Sequence, residues 1–413
     1  MPQSQTTYHI ACLPGDGIGP EVTRAALRVM RAVADEAGFA LDVSEHPFGG
    51  VAIDREGAPF PDATRAACLD ADAVLLGAVG GPAWDDNDAR PESGLLALRK
   101  ALGVFANLRP VTVPEALVDA SPLRPERVSG ADVLIARELT GGIYFGEPSE
   151  HTADEAFSTM RYRRSEIARI ARIAFEQARK RDHRVTSVDK ANVLDVSRLW
   201  REVVTELHER EYDDVALDHL YVDNAVMQLA RDPNQFDVIL TGNLFGDILS
   251  DLAATLPGTL GMLPSASIGE SKNADESRQR QNDKPDVPSK KDVETRRAAS
   301  SQKKGRQSVP NRHPDTEKAK AGLFEPVHGS APDITGQDAA NPLAAILSGA
   351  MLLDDLGETR AADAIRQGVR EALASGARTA DLGGKASTGE MTRRVAGQAV
   401  AVLGEGERTA MKA

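Results

Sequence analysis

The chain has 413 residues, 41% hydrophobic and 27% charged, which is material for about two domains with a large buried core. A formal net charge of −13 argues against nucleic-acid binding by the chain as a whole, while leaving room for a locally basic site that takes acidic substrates. Cys12 and Cys68 form no disulfide framework or metal-ligand spacing, the polar start lacks a signal-peptide pattern, and no apolar run approaches the roughly 18 residues of a membrane span, so a cytoplasmic protein is expected.

In chain order, residues 8–13 read as a strand, Gly15 to Gly19 as a turn, and 20–37 as a helix with Pro20 in its first turn, where the missing N–H costs nothing. Residues 73–79 form a buried strand entering a Gly80-Gly81-Pro82 turn. Ser165 is placed to cap a helix that turns Ile167, Ile170, Ile173 and Ala174 to one face. A strand over 185–188 ends at Asp189-Lys190, and Ser197 can cap the next helix, with Leu199, Val203 and Leu207 inward. A strand over 236–241 leads through Gly242-Asn243 into a helix from about Leu244. This alternation predicts α/β architecture with much parallel sheet. Residues 270–322 break the pattern: 14 basic and 9 acidic side chains stand among Ser, Gln and Pro with almost no apolar periodicity. Such composition predicts a disordered insertion between ordered flanks, and its positive charge leaves open a binding role toward nucleic acid or an acidic partner.

Several side chains could carry chemistry. Arg99, Arg109 and Arg137 lie near predicted element ends; together they would suit a dicarboxylate, although each alone reads more readily as a surface arginine. Asp247 and Asp251, four apart on a predicted helix, share a face, and Asp223 ends a strand; oxygen ligands of this kind suit Mg2+ or Mn2+, but the pair is also tolerable without function. Lys190 follows a strand and could act as a base, and Tyr144 sits in a glycine-framed run, which is also how a core tyrosine at a tight turn would look. Gly15-Asp16-Gly17-Ile18-Gly19 follows a strand but has the wrong glycine spacing for a dinucleotide fingerprint. Gly384-Lys385-Ala386-Ser387 lacks the spacing of a phosphate loop, and the histidines form no zinc-like cluster.

Taken together, the motifs resemble the β-decarboxylating dehydrogenases, which include isopropylmalate, isocitrate, homoisocitrate and tartrate dehydrogenases. The resemblance runs from about Ile10 to about Leu403. It rests on the stretch from Thr241-Gly242-Asn243 through Asp247 to Asp251, on Arg137-Glu138-Leu139-Thr140-Gly141-Gly142-Ile143-Tyr144, and on Ser187-Val188-Asp189-Lys190-Ala191-Asn192. It implies a two-domain α/β fold with a shared central sheet, distinct from Rossmann. Residues 1–104 with 258–413 would form the cofactor-binding domain, with the insertion inside it, and 105–257 the dimerisation domain with a clasping arm at about 138–162. It further implies a homodimer with shared active sites, to which the partner brings Lys190 and Asp223. Tyr144, Lys190 and Asp223 would be catalytic; Asp223, Asp247 and Asp251 would hold Mg2+ or Mn2+; Arg99, Arg109, Arg137 and Asp223 would hold the substrate. Ser149 departs from the family pattern, which has a basic residue after Glu147-Pro148, leaving the arm contact open.

Cofactor and substrate follow from the same resemblance. Residues Glu325, His328, Gly329, Ser330, Ala331, Pro332, Asp333 and Asn341 look like the family's adenosine-binding loop. Asp333 can accept from ribose hydroxyls and would repel a 2′-phosphate, which favours NAD over NADP. In family members that act on isopropylmalate, a glutamate and two leucines matching Glu92, Leu95 and Leu96 face the isopropyl group and the nicotinamide. Apolar side chains there disfavour a third carboxylate, because burying it unpaired is expensive. A non-catalytic relative on the same fold should have lost a base or metal residue, and Tyr144, Lys190, Asp223, Asp247 and Asp251 are all present.

Overall fold

The computed structural model describes residues 5–87, 89–269 and 321–410. In chain order it contains β1 (Thr7–Gly15), α1 (Gly19–Ala37), β2 (Ala40–Glu45), α2 (Gly50–Glu56), α3 (Asp62–Asp70), β3 (Ala73–Ala78), α4 (Pro91–Leu102), β4 (Ala106–Thr112), α5 (Pro125–Val128), β5 (Asp132–Glu138), β6 (Ser149–His151) and β7 (Ala156–Ser158). There follow α6 (Arg164–Arg179), β8 (Arg184–Asp189), α7 (Asp195–Glu211), β9 (Ala216–Tyr221), α8 (Val222–Arg231), β10 (Val238–Thr241), α9 (Asn243–Ala254), β11 (Pro264–Ile268), β12 (Gly322–Pro326), α10 (Leu343–Asp355), α11 (Thr359–Ala374) and α12 (Thr388–Ala410).

Ten of the strands form one sheet in the order β2-β1-β3-β12-β11-β4-β5-β10-β8-β9. Both outer blocks are parallel, as the α/β alternation predicts, and the centre, β12-β11-β4-β5, is antiparallel. This order is not that of a Rossmann sheet. The inner strands are buried on both sides, whereas the edge strands β2 and β9 are largely half-buried or exposed, so along an inner strand alternate residues go to different clusters. From β1, Ile10 and Cys12 join the largest core cluster, while Ala11 and Leu13 join one with Phe48 and Leu98. Val238 and Leu240 of β10 join a third, beneath Ile167 and Ile170 of α6 and Trp200 of α7. Such double coverage is why β3 reads as an unbroken apolar run.

Helix starts differ slightly from expectation. Ser165 does not cap α6: it lies in the first turn, the N-cap position is Arg163, and the Arg163 N–H donates to the Glu166 carboxylate at 2.7 Å. Ser197 lies inside α7, which begins at Asp195, an acidic residue favoured in the first turn by the helix dipole. The strand expected over 236–241 is regular only over Val238–Thr241.

β6 and β7 pair as a separate two-stranded ribbon, exposed along its whole length. Ser149, the departure from the family pattern, places its Oγ 3.3 Å from Phe157 O and Ser158 Oγ, so it closes the ribbon. The expectation of disorder for the insertion falls on residues 270–320, outside the described residues. Its last two positions differ from expectation: Ala321 is buried and Gly322 opens β12. The ordered ends are direct antiparallel neighbours, with Ser267 opposite Leu323. Replacing 270–320 by a short Gly/Ser turn should therefore leave the fold intact. Closure entropy is logarithmic in length, so a tenfold shorter connection changes it by only about 2 kcal/mol. Thermal melting and turnover of the deletion variant check this; loss of folding would make the segment structural.

Candidate active site

The site is built where the antiparallel centre meets the carboxyl ends of the parallel block. On β4, Asn107 and Arg109 alternate to one face; Arg137 of β5 and Ser267 of β11 lie directly opposite Asn107, and Ser265 lies opposite Glu325 of β12. The result is a polar stripe across four strands. The buried Asn107 amide donates to Ser265 Oγ at 2.7 Å and Ser267 Oγ at 3.1 Å, and its oxygen accepts from Arg109 Nε at 2.9 Å. Arg109 Nη1 donates to Ser250 Oγ at 2.5 Å, and Arg99 of α4 donates to Glu325 at 2.8 Å.

α9 packs across β4 and β5 and brings the two aspartates over this stripe. Arg137 is only 4% exposed. It donates to Asn243 Oδ1 through Nε at 3.1 Å and Nη2 at 2.8 Å, and through Nη1 to Asp247. Gly246 lets it through: a Cβ there would stand 2.6 Å from Arg137 Cγ. Tyr144 OH donates to the other Asp247 oxygen at 2.9 Å. Asp251, one turn on, has a side chain 70% exposed and lies 3.7 Å from Arg109. Burial, then repulsion from Arg137, lowers Arg109 to about 10, and burial lowers Arg137 as well. Arg99 adds to the repulsion on both. Crowded, desolvated guanidiniums of this kind would be relieved by a bound dianion. Burial, then the bond to Asp247, raises the Tyr144 phenol, so it keeps its proton.

Lys190 and Asp223 form a second group. Parallel register puts the ends of β8, β10 and β5 side by side, and Lys190 follows β8 while Asp223 opens α8 after β9. Lys190 Nζ donates to Asp223 at 2.5 Å, and that bond holds the Asp223 carboxyl below its ordinary range. Among the described residues, no three His, Cys, Asp or Glu side chains within the one chain converge as a metal site.

Glu92, Leu95, Leu96 and Arg99 lie along α4. The two leucines differ: Leu95 packs on the cluster holding Phe48 and Leu98, whereas Leu96 is exposed. In the expected cofactor loop, Ser330 and Asn341 are buried, Gly329, Pro332 and Asp333 are exposed, and Ala331 adopts φ 38°. His328 Nδ1 lies 3.0 Å from Gly329 O, its Nε2 is buried without a hydrogen-bond partner, and burial lowers its pKa, leaving a neutral ring with an unspent polar atom.

Sequence reasoning missed the supports. Asn107, Ser265 and Ser267 carry the Arg109 side chain, Asn243 and Ser250 hold the arginines from α9, and Tyr162 OH accepts the Asn243 N–H at 2.7 Å. Fully buried Glu138 accepts from Thr140 N at 3.0 Å and Gly141 N at 2.8 Å, shaping the turn before Tyr144. The one signal available was polar alternation in β4 and β11, Asn-x-Arg and Ser-x-Ser, where a buried strand should be apolar.

The family described as isocitrate/isopropylmalate dehydrogenase matches residues 9–277 and 312–395. The 3-isopropylmalate dehydrogenase of Salinibacter ruber is 60% identical over 399 residues, covering 95% of this chain and 96% of that relative. The enzyme of the same name from Wolinella succinogenes is 49% identical over 378 residues, covering 91% and 92%. The solved structure of isocitrate dehydrogenase from Methylococcus capsulatus superposes with a TM-score of 0.75 at 32% identity, covering 95% of this chain and 99% of that one.

Proposed function

The chain belongs to the isocitrate/isopropylmalate dehydrogenase family, and from this premise we propose that it oxidatively decarboxylates (2R,3S)-3-isopropylmalate to 4-methyl-2-oxopentanoate with NAD, a step of leucine biosynthesis, as a cytoplasmic homodimer. The observation that carries the reading is the placing of buried Arg109 and Arg137 against Asp247, Asp251 and Tyr144. Among the described residues no helix is long and apolar enough to cross a membrane. We divide the chain into residues 1–104 with 258–413, carrying the cofactor loop, and 105–257, carrying Arg109, Arg137, Lys190 and the aspartates. The junction then runs between β11 and β4, at the polar stripe, where ligand sites commonly form.

The donor set fits a hard divalent cation, since every candidate ligand is a carboxylate oxygen and Asp251 is little engaged by the protein. Asp247 and Asp251 would hold Mg2+ or Mn2+ together with the partner subunit's Asp223. The cation supplies Lewis acidity at the substrate's hydroxyl oxygen, and NAD supplies the hydride acceptor. The unspent Nε2 of His328 and exposed Asp333 support the cofactor reading for 328–333.

The chain's own groups then have distinct tasks. Arg99, Arg109 and Arg137 hold the two carboxylates and orient C2 toward the nicotinamide. Lys190, delivered with Asp223 from the partner, would accept the hydroxyl proton as a neutral amine, its resting proton having passed out through Asp223, as hydride leaves C2. Tyr144 delivers a proton to C3 as CO2 leaves. The discriminating experiment is NAD+ reduction with isopropylmalate, isocitrate, homoisocitrate and tartrate side by side. Highest kcat/KM on any substrate but isopropylmalate would overturn the substrate assignment.

The leucines sharpen this. Leu96→Ser should lower kcat/KM for isopropylmalate about 5- to 100-fold, the worth of one lost apolar contact, and leave malate nearly unchanged. Leu95→Asn should also lower thermal stability, because half-buried Leu95 packs against the cluster of Phe48 and Leu98. An equal loss of Leu96→Ser on malate, which has no isopropyl group, would sink the pocket assignment.

A further inference from the structure

The turn after β1 carries the glycine-rich pattern that the proposed chemistry leaves unused. Its backbone is already committed: Asp16 N donates to Ala78 O at 2.8 Å, Ile18 N to Ser330 O at 2.8 Å and Gly19 N to Asp16 O at 2.9 Å. A phosphate cradle needs such N–H groups free, so this turn is not one.

The Asp16 side chain, 3% exposed, does something else. Its carboxylate accepts three backbone N–H groups from two other segments: Gly50 at 2.9 Å and Val51 at 2.8 Å, at the start of α2, and Gly80 at 2.8 Å, after β3. Gly80 in turn lies against Glu92, whose Oε1 a Cβ at that position would meet at 2.4 Å. On the other side of the turn, Gly17 takes φ +55°, and a Cβ there would stand 2.0 Å from Ser330 O. One buried carboxylate therefore ties the α2 start and the Gly80 turn to the segment on which Ser330 rests.

We propose that Asp16 is a positioning residue for the dinucleotide: its three-way carboxylate clamp holds the 15–19 turn, and the turn holds the 328–333 loop through Ser330. This rests on the reading of 328–333 as the cofactor loop. Among the described residues Asp16 hydrogen-bonds to neither the substrate arginines nor Asp247, so its loss is felt first in cofactor affinity, with a smaller effect on the substrate side through Gly80 and Glu92.

The test measures NAD+ dissociation constants by calorimetry, and KM for both NAD+ and isopropylmalate, on full-length Asp16→Asn, Gly17→Ala and, as a control on the underlying reading, Asp333→Ala. Asp16→Asn turns an acceptor into an N–H donor facing other N–H groups. Gly17→Ala pushes the turn off Ser330 O without changing the Asp16 carboxylate, and it tests the turn-to-loop half of the proposal should Asp16→Asn fail to fold. Both should weaken NAD+ by about tenfold or more, with the KM for isopropylmalate and kcat moving by less than about threefold. Asp333→Ala should weaken NAD+ about 10- to 100-fold and narrow the preference over NADP+. An unchanged cofactor preference in Asp333→Ala overturns the cofactor-loop reading. An impaired Asp333→Ala beside a folded Asp16→Asn or Gly17→Ala with parental NAD+ affinity, or with both KM values raised alike, overturns the clamp alone.

Discussion

Lys190→Met should cut turnover on isopropylmalate by about 100- to 10,000-fold, the span expected for loss of a positioned general base, with the fold retained. Retention is expected because Lys190 is partly solvent-accessible and its partner Asp223 is mostly exposed, so the substitution buries no unpaired charge. Removing the ammonium also releases Asp223, whose carboxyl titration should move back up toward the ordinary range. The sign follows from that depressed pKa: the Lys190–Asp223 pair contributes above the ordinary carboxylate pKa and is lost as pH falls through the depressed one. Near-parental turnover in the purified variant would remove Lys190 from the reaction.

The same variant tests the shared site. Lys190 hydrogen-bonds to Asp223, while Tyr144 hydrogen-bonds to Asp247. If the two pairs meet across a dimer, a Lys190→Met chain mixed with a Tyr144→Phe chain has one intact site in each heterodimer. Statistical exchange of two inactive parents should then restore about a quarter of parental activity. No recovery, with heterodimers demonstrated by native mass spectrometry, would place both pairs in one chain's site.

Asp247→Asn and Asp251→Asn should both abolish most metal-dependent activity and yet separate in stability. Asp247 is the counter-ion of a nearly buried guanidinium, Arg137, and accepts from Tyr144. Removing one partner of a buried pair costs about 3–5 kcal/mol. Here the Asp247 side chain is 36% exposed and Arg137 keeps Asn243, so about 1–3 kcal/mol is expected. Asp251, far more exposed, should cost no more than about 0.5 kcal/mol. Denaturant midpoints and Mn2+ binding on both variants check this. Equal midpoints would contradict the counter-ion role, and unchanged Mn2+ affinity would contradict the ligand role.

The sequence by itself determined the α/β alternation, the two-carboxylate face of α9, the lysine placed after β8 and the failure of the 15–19 turn as a dinucleotide fingerprint. All of these are local: each depends on residues within a few positions, where helix and strand periodicity alone decide which side chains share a face. Helix starts were less legible, because a capping acceptor can come from any of several neighbours: the N-cap of α6 lies two residues before the expected one, with Glu166 accepting the Arg163 N–H. The convergence of the polar stripe was decided by tertiary structure. Asn107 meets Ser265 and Ser267 nearly 160 residues away because β11 pairs with β4, and Arg99 meets Glu325 because α4 packs on β12. Strand order is set by which buried faces fit together across the whole molecule, and no window of sequence contains that comparison. For the same reason Asp16, legible only as part of a mismatched motif, became the tie between Gly50, Val51 and Gly80 once three distant segments had folded against it.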